Sequence, residues 1–264
     1  MKTPLISEGS EPSTDELALF LSRYSAWLLG AGATCMRLEK NVSRIAGAFG
    51  RRVEVTITPR HIHLSLWTEG EPGAMTTIAS AIHKGISFNL NTELSKLSWE
   101  IADGKIDFVE AAARFRDYTM NDSQNKWFVL IAVSCANASF CRLFGGDLTA
   151  MVIVFIATLA GYYLKMLMSG HGADTRLMAV ACSFVSSVLG ASGQLFGLGT
   201  TPDVAIGTSV LYLVPGIPFI NSFSDMLYRY YLCAFSRFMD ALILTCCLSL
   251  GLCAGMLLMN AGMF

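Results

Sequence analysis

The sequence predicts a membrane α-helical protein of five transmembrane helices carrying a small N-terminal cytoplasmic α+β domain. Three observations predict it. Charge is segregated: residues 1–125 hold thirteen of the 19 Lys+Arg and fifteen of the 20 Asp+Glu, so the net charge of -1 conceals a soluble half joined to an apolar one. The apolar period changes near Lys126, from short amphipathic segments to long runs. Each of those runs is close to the ~17–25 residues that a spanning helix requires. The division falls into domains 1–125 and 126–264.

In the soluble half, Leu17, Phe20, Leu21, Tyr24 and Leu28 recur at helical spacing, which predicts a helix over 15–29 that starts at the capping residues Ser13-Thr14-Asp15. Gly30-Ala31-Gly32 ends it. A second helix, 34–49, has Met36, Leu38, Val42, Ile45 and Phe49 on its apolar face and Arg37, Glu39, Lys40 and Arg44 on the rest. Alternation over 53–58 and 62–66, broken by Pro59-Arg60, predicts a strand hairpin, with a third strand at 76–82. Two helices, 90–102 and 108–118, close the domain.

The spans are expected at 127–144, 148–168, 177–196, 204–219 and 238–263. The polar, acidic start from Met1 to Glu16 lacks the apolar core of a signal peptide, so the N-domain is expected to stay in the cytoplasm. That orientation puts Lys126, Lys165, Arg176, Arg229 and Arg237 inside and Arg142 outside, in accord with the positive-inside rule. It also puts the C-terminus outside.

Several classes are excluded or disfavoured. No basic stripe suited to nucleic acid is present. Seven of the eight cysteines lie in the membrane half without a C-x-x-C pair, which reads as packing and not as a disulfide or zinc framework. His61 and His63 share a strand face, yet nothing nearby completes a metal site. No Walker loop, G-x-S-x-G or H-E-x-x-H occurs. Neither an enzyme nor a cofactor is expected.

The most informative stretch is 211–225, where Pro215, Gly216 and Pro218 interrupt an apolar run. Proline removes a backbone donor and clashes with the preceding turn. In lipid, the freed backbone must find partners, so such breaks belong where protein covers them or a wet cavity receives them. Asn221 and Asp225 follow directly. Asp225 and Arg229 have the spacing of a helical ion pair, and Arg237 and Asp240 sit three apart at the mouth of span five. Asn137 in span one and Gln194 in span three are single amides suited to interhelical hydrogen bonds or to a substrate path. Gly193-x-x-x-Gly197 and Gly251-x-x-x-Gly255 allow close helix approach.

Three segments resemble the threonine/serine exporter family in its split form, most closely the YjjP-type larger subunit: Leu29-Gly-Ala-Gly-Ala-Thr-Cys-Met-Arg-Leu-Glu39 with Ile45-Ala-Gly-Ala-Phe-Gly50, Ser134-Cys-Ala-Asn-Ala-Ser-Phe-Cys-Arg-Leu-Phe-Gly-Gly-Asp147, and 209–225 with its Val-Pro-Gly-x-Pro-x-Ile-Asn core. Pro215, Gly216, Pro218, Asn221 and Asp225 match the family motif. The resemblance implies a smaller membrane partner of four or five spans and export of a small carboxylate such as succinate, or of threonine or serine. One departure stands out: Tyr228-Arg-Tyr-Tyr231 occupies a place where relatives carry a glycine-containing polar stretch.

The leading expectation is therefore an exporter subunit, with Pro215, Gly216, Pro218, Asn221, Asp225, Arg229, Arg237, Asp240, Asn137 and Gln194 as candidates for the transport path. In that reading the break forms an inner vestibule or gate, an arginine meets a substrate carboxylate, and Asp225 or Asp240 exchanges a proton. Competing readings are a membrane-anchored enzyme or sensor acting through residues 1–125, and a purely structural partner.

Overall fold

The structure is a computed structural model that describes residues 12–68, 73–82, 85–121 and 125–259. The acidic start up to residue 11 and the end of the last apolar run lie outside the described residues. The chain forms two compact units, one from Met1–Ser123 with Ile217–Phe238, the other from Gln124–Gly216 with Met239–Phe264.

The first unit opens with α1 (Thr14–Gly30). Ser13 and Glu16 cap it reciprocally, each side chain accepting from the other's backbone N–H, which satisfies two orphan donors of the first turn. Thr34 caps α2 (Cys35–Ala48). Three antiparallel strands follow in the order β1-β2-β3: β1 (Arg51–Ile57), β2 (His61–Thr68) and β3 (Met75–Ser80). Strand alternation puts Ile62, Leu64 and Leu66 of β2 into the core, against α1. The helices α3 (Phe88–Ala102) and α4 (Phe108–Met120) complete the layer, and Phe20 meets Phe108 and Phe115 edge-on at 5.5 and 5.6 Å. The helix and hairpin expectations thus hold, with Met36 and Phe49 at the margin of the core instead of in it.

The second unit contains α5 (Lys126–Leu143), α6 (Leu148–Gly170), α7 (Thr175–Gly190), the short α8 (Ser192–Leu195) and α9 (Pro202–Ser209). Successive helices α5, α6 and α7 pack side by side, and α9 touches all three. Beyond α9 come a 3-10 turn (Leu211–Leu213), then α10 (Gly216–Leu227) and α11 (Tyr231–Leu258).

Among the described residues, four helices are long and apolar enough to cross a membrane, or five when the bent pair Pro202–Leu213 and Gly216–Leu227 counts as one span. The run expected at 204–219 is thus two short helices parted at Val214–Pro215. Proline drives its predecessor out of helical geometry, and Val214 is extended (φ -60, ψ 126). Pro218, by contrast, breaks nothing. It sits in the first turn of α10, where a missing N–H is harmless. The last helix starts seven residues before the expected 238, so Arg237 and Asp240 lie within α11 and not at its mouth.

The two G-x-x-x-G patterns part company. A Cβ at Gly251 would meet Ser183 Oγ at 1.9 Å and the Val180 carbonyl at 2.3 Å, and one at Gly255 would meet Ser187 Oγ at 2.6 Å. Those glycines let α11 approach α7 to backbone contact. Gly197 lies past the end of α8 with φ +60 and open space around it, so Gly193 and Gly197 do not form a helix-contact face.

Replacing Gly251 by Val is expected to destabilise the protein by about 1–3 kcal/mol through overpacking. Gly170→Ala, at a helical site with nothing within 4 Å, serves as control. An unchanged thermal midpoint for the Val variant in purified protein would refute the α7–α11 contact.

Candidate functional site

Helix α10 is amphipathic in an inverted sense. Ile220, Phe223, Met226 and Leu227 are exposed, whereas Ser222 and Asp225 are buried. The polar face binds backbone. Asn221 Nδ2 donates to the Gly32 carbonyl at 2.8 Å, and Ser222 Oγ to the Ala234 carbonyl at 2.7 Å. The Cys35 N–H donates to Asp225 Oδ1 at 2.8 Å. From α11, Arg237 Nη2 donates to the Ala33 carbonyl at 2.8 Å, and Nη1 stands 3.2 Å from Asp225 Oδ2.

Successive backbone groups of the α1–α2 loop are therefore answered by Asn221, Arg237 and Asp225. The loop can run this way because Gly32 takes φ +87, which L side chains avoid. Asp225, at 0% exposure, sits at the amino end of α2, where orphan N–H groups and the helix dipole favour a carboxylate. The Cys35 thiol donates to Asp225 Oδ2 at 3.4 Å. It is pushed above the ordinary thiol range, first by its hydrogen bond with Cys233, then by burial and the Asp225 charge, so it stays protonated.

The expected ion pair between Asp225 and Arg229 does not form. Helix α10 ends at Leu227, and Arg229 turns left-handed at φ 67, with Tyr230 N–H bonded back to the Asp225 carbonyl. This is a helix C-terminus closed by a left-handed residue, a position that glycine usually fills. Arg229 is thus used through its backbone. Arg237 faces Asp225 instead of Asp240, which is exposed on α11.

The second unit holds a separate polar cluster. Asn137 Nδ2 donates to Thr158 Oγ1 at 2.6 Å and to the Thr208 carbonyl at 3.1 Å, joining α5, α6 and α9. Ser186 Oγ donates to the Ala157 carbonyl at 3.2 Å and lies 2.9 Å from the Tyr212 hydroxyl. Ser187 Oγ donates to the Leu252 carbonyl at 3.0 Å. Gly161 admits Tyr212, whose hydroxyl would be 2.0 Å from a Cβ there. Of this cluster only Asn137 stands out in the sequence; the structure adds Thr158, Ser186, Ser187 and Tyr212. The signal was available: hydroxyls recurring at helical spacing inside apolar runs. Gln194 is half-buried on α8.

At one end of this unit Asp147 caps α6. Its carboxyl is held below the ordinary carboxylate range by N–H donation, first from Thr200 and then from Ala150. The link ties the start of α6 to the loop before α9.

Two substitutions test the first site. Asp225→Asn keeps an acceptor for Cys35 N–H but leaves Arg237 uncompensated, and a loss of about 3–5 kcal/mol is expected. Adding Arg237→Met should recover part of it; an Asn variant as stable as the parent in denaturant unfolding would refute a stabilising pair. Arg229→Gly relieves a left-handed backbone and should raise stability by about 1 kcal/mol. A lowered midpoint would show that the Arg229 side chain matters.

A family model described as "Putative threonine/serine exporter" matches residues 19–259. The chain is 27% identical over 236 residues to a protein of Escherichia coli (strain K12) named "Probable succinate transporter subunit YjjP", covering 88% of this chain and 89% of that one. A Klebsiella aerogenes protein of the same name is 26% identical over 232 residues, 87% of this chain and 89% of that protein. No solved structure matches. Its multi-pass helices and the match along almost its whole length place this chain in the threonine/serine exporter family, whose work is membrane transport.

Proposed function

We propose that this chain is the larger subunit of a two-component secondary exporter for small carboxylates, with a succinate-like dicarboxylate as first substrate. It crosses the bacterial inner membrane five times, the broken run counted as one span, with residues 1–125 in the cytoplasm, 126–264 spanning the bilayer and the C-terminus in the periplasm. A smaller membrane subunit of four or five spans completes the path. The naming of both relatives as succinate transporter subunits supports substrate and partner.

The observation that carries the reading is the hydroxyl- and amide-lined interior of the helical unit. In lipid a polar side chain is costly unless it has a partner or meets a wet path. Asn137, Thr158, Ser186 and Tyr212 answer one another and backbone carbonyls, and would exchange those partners for a carboxylate, while Lys165, half-buried on α6 with Nζ 5.5 Å from the Tyr162 ring, supplies positive charge. In this assignment Asn137 and Gln194 belong to the path and Asp240 exchanges the coupling proton. Pro215, Gly216, Pro218, Asn221, Asp225, Arg229 and Arg237 shape and hold the broken segment.

Threonine or serine is the second reading. It is favoured by the family description and by the neutral character of the buried polar groups in this unit, which suits a zwitterion.

Efflux from loaded cells expressing both chains is the test. Asn137→Leu should lower succinate efflux at least tenfold at unchanged protein level, and omission of the smaller chain should abolish it. Succinate efflux equal to the parent's would overturn the path. Threonine efflux that responds while succinate efflux is absent would move the substrate to the second reading.

A further inference from the structure

A groove of about 420 Å³ lies between α2 and α3, lined by Arg37, Lys40, Arg44, Ser95, Lys96 and Trp99. Arg37, Lys40 and Arg44 recur three and four residues apart and so share one face of α2. That face lies beside the one that Leu38, Val42 and Ile45 bury. Among the described residues none of the three forms an ion pair with a carboxylate. Lys96 alone is answered, by Glu93 at 2.9 Å. Arg114 shows that acids are available nearby, since Glu100 and Glu110 clamp it at 2.8 and 2.7 Å.

The cationic wall is also held in place. Arg44 lies 3.7 Å above the Trp99 ring and donates to Asn41 Oδ1 at 2.9 Å and Ser98 Oγ at 2.6 Å. Asn41 in turn donates to the Tyr24 hydroxyl at 3.1 Å and to Ser95 Oγ at 3.2 Å, and Tyr24 donates to the Leu94 carbonyl at 2.7 Å. Arg37 Nη1 donates to Asn91 Oδ1 at 3.1 Å. Every one of these partners is neutral, so the network orients the guanidinium groups without cancelling their charge. Like charges gathered on one face repel. An oxyanion that met the planar forks would relieve the repulsion and gain charge-assisted hydrogen bonds.

We infer that this groove binds a phosphate ester, with Arg37, Lys40 and Lys96 receiving the phosphate oxygens and the Arg44–Trp99 stack walling its organic part. The volume falls in the range of about 300–1,000 Å³ typical of small-molecule sites. A free phosphate fills little of it, and a four-carbon diacid leaves some of the cations unanswered. The site is separate from the exporter reading and is tested by binding alone.

The full-length chain purified in detergent is titrated calorimetrically with adenosine triphosphate, inorganic phosphate and succinate. Adenosine triphosphate should bind tightest, with affinity falling as salt rises. The double variant Arg37→Gln/Lys40→Gln, both positions being exposed, should keep the parent's thermal midpoint and lose at least tenfold in affinity. In a second arm the chain is placed in phosphatidylglycerol or phosphatidylcholine nanodiscs. A midpoint raised by phosphatidylglycerol in the parent but not in the double variant assigns the phosphate to a lipid headgroup, and adenosine triphosphate binding in detergent assigns it to a soluble ligand. Binding to neither source, affinity unchanged in the double variant, or succinate binding as tightly as the nucleotide would overturn the proposal.

Discussion

The first unit depends on one buried carboxylate. Asp225 joins the amino end of α2, through Cys35 N–H, to Arg237 of α11, and the same arginine reaches the Ala33 carbonyl. An ionised group with no exposure persists only when charge and hydrogen bonds answer it. Here the helix terminus supplies a donor and the guanidinium the charge. Each part of the cluster leans on the others: without the acid, an arginine and a helix end are left unanswered, and without the arginine the acid is a lone buried charge. Asn221 and Ser222 extend the same logic along α10, whose polar face turns inward while its apolar face stays exposed.

In the helical unit small residues do comparable work. Gly161, Gly251 and Gly255 bring helices close enough for Ser183, Ser186, Ser187 and Tyr212 to meet neighbouring backbone or side chains. Where lipid and side chain are equally apolar, such packing and hydrogen bonding replace the hydrophobic drive to associate. The outcome is an interior of hydroxyl and amide groups within apolar helices.

Much of the fold was legible. The cap at Ser13, the hairpin around Pro59, the core faces of α1 and α2, and the break before Pro215 all follow from local rules of spacing and backbone chemistry. Two local inferences failed for local reasons. Gly193 and Gly197 have the spacing of one helix face, but the chain leaves the helix between them. Asp225 and Arg229 have the spacing of a helical pair, but α10 ends before the turn that would align them.

By itself, then, the sequence determined where charge ends and apolar runs begin, which segments coil, and where proline must interrupt them, because those properties depend on neighbours a few residues away. It also carried the motifs at 29–39 and 209–225 without a reason for either. Only the tertiary structure showed that these two motifs meet. Cys35 and Asp225 stand 190 positions apart, and no local period encodes a hydrogen bond across that distance. The same holds for Asn137 with the Thr208 carbonyl and for Arg44 with Trp99: a polar side chain announces that it needs a partner, but the packing of whole elements decides which one it finds.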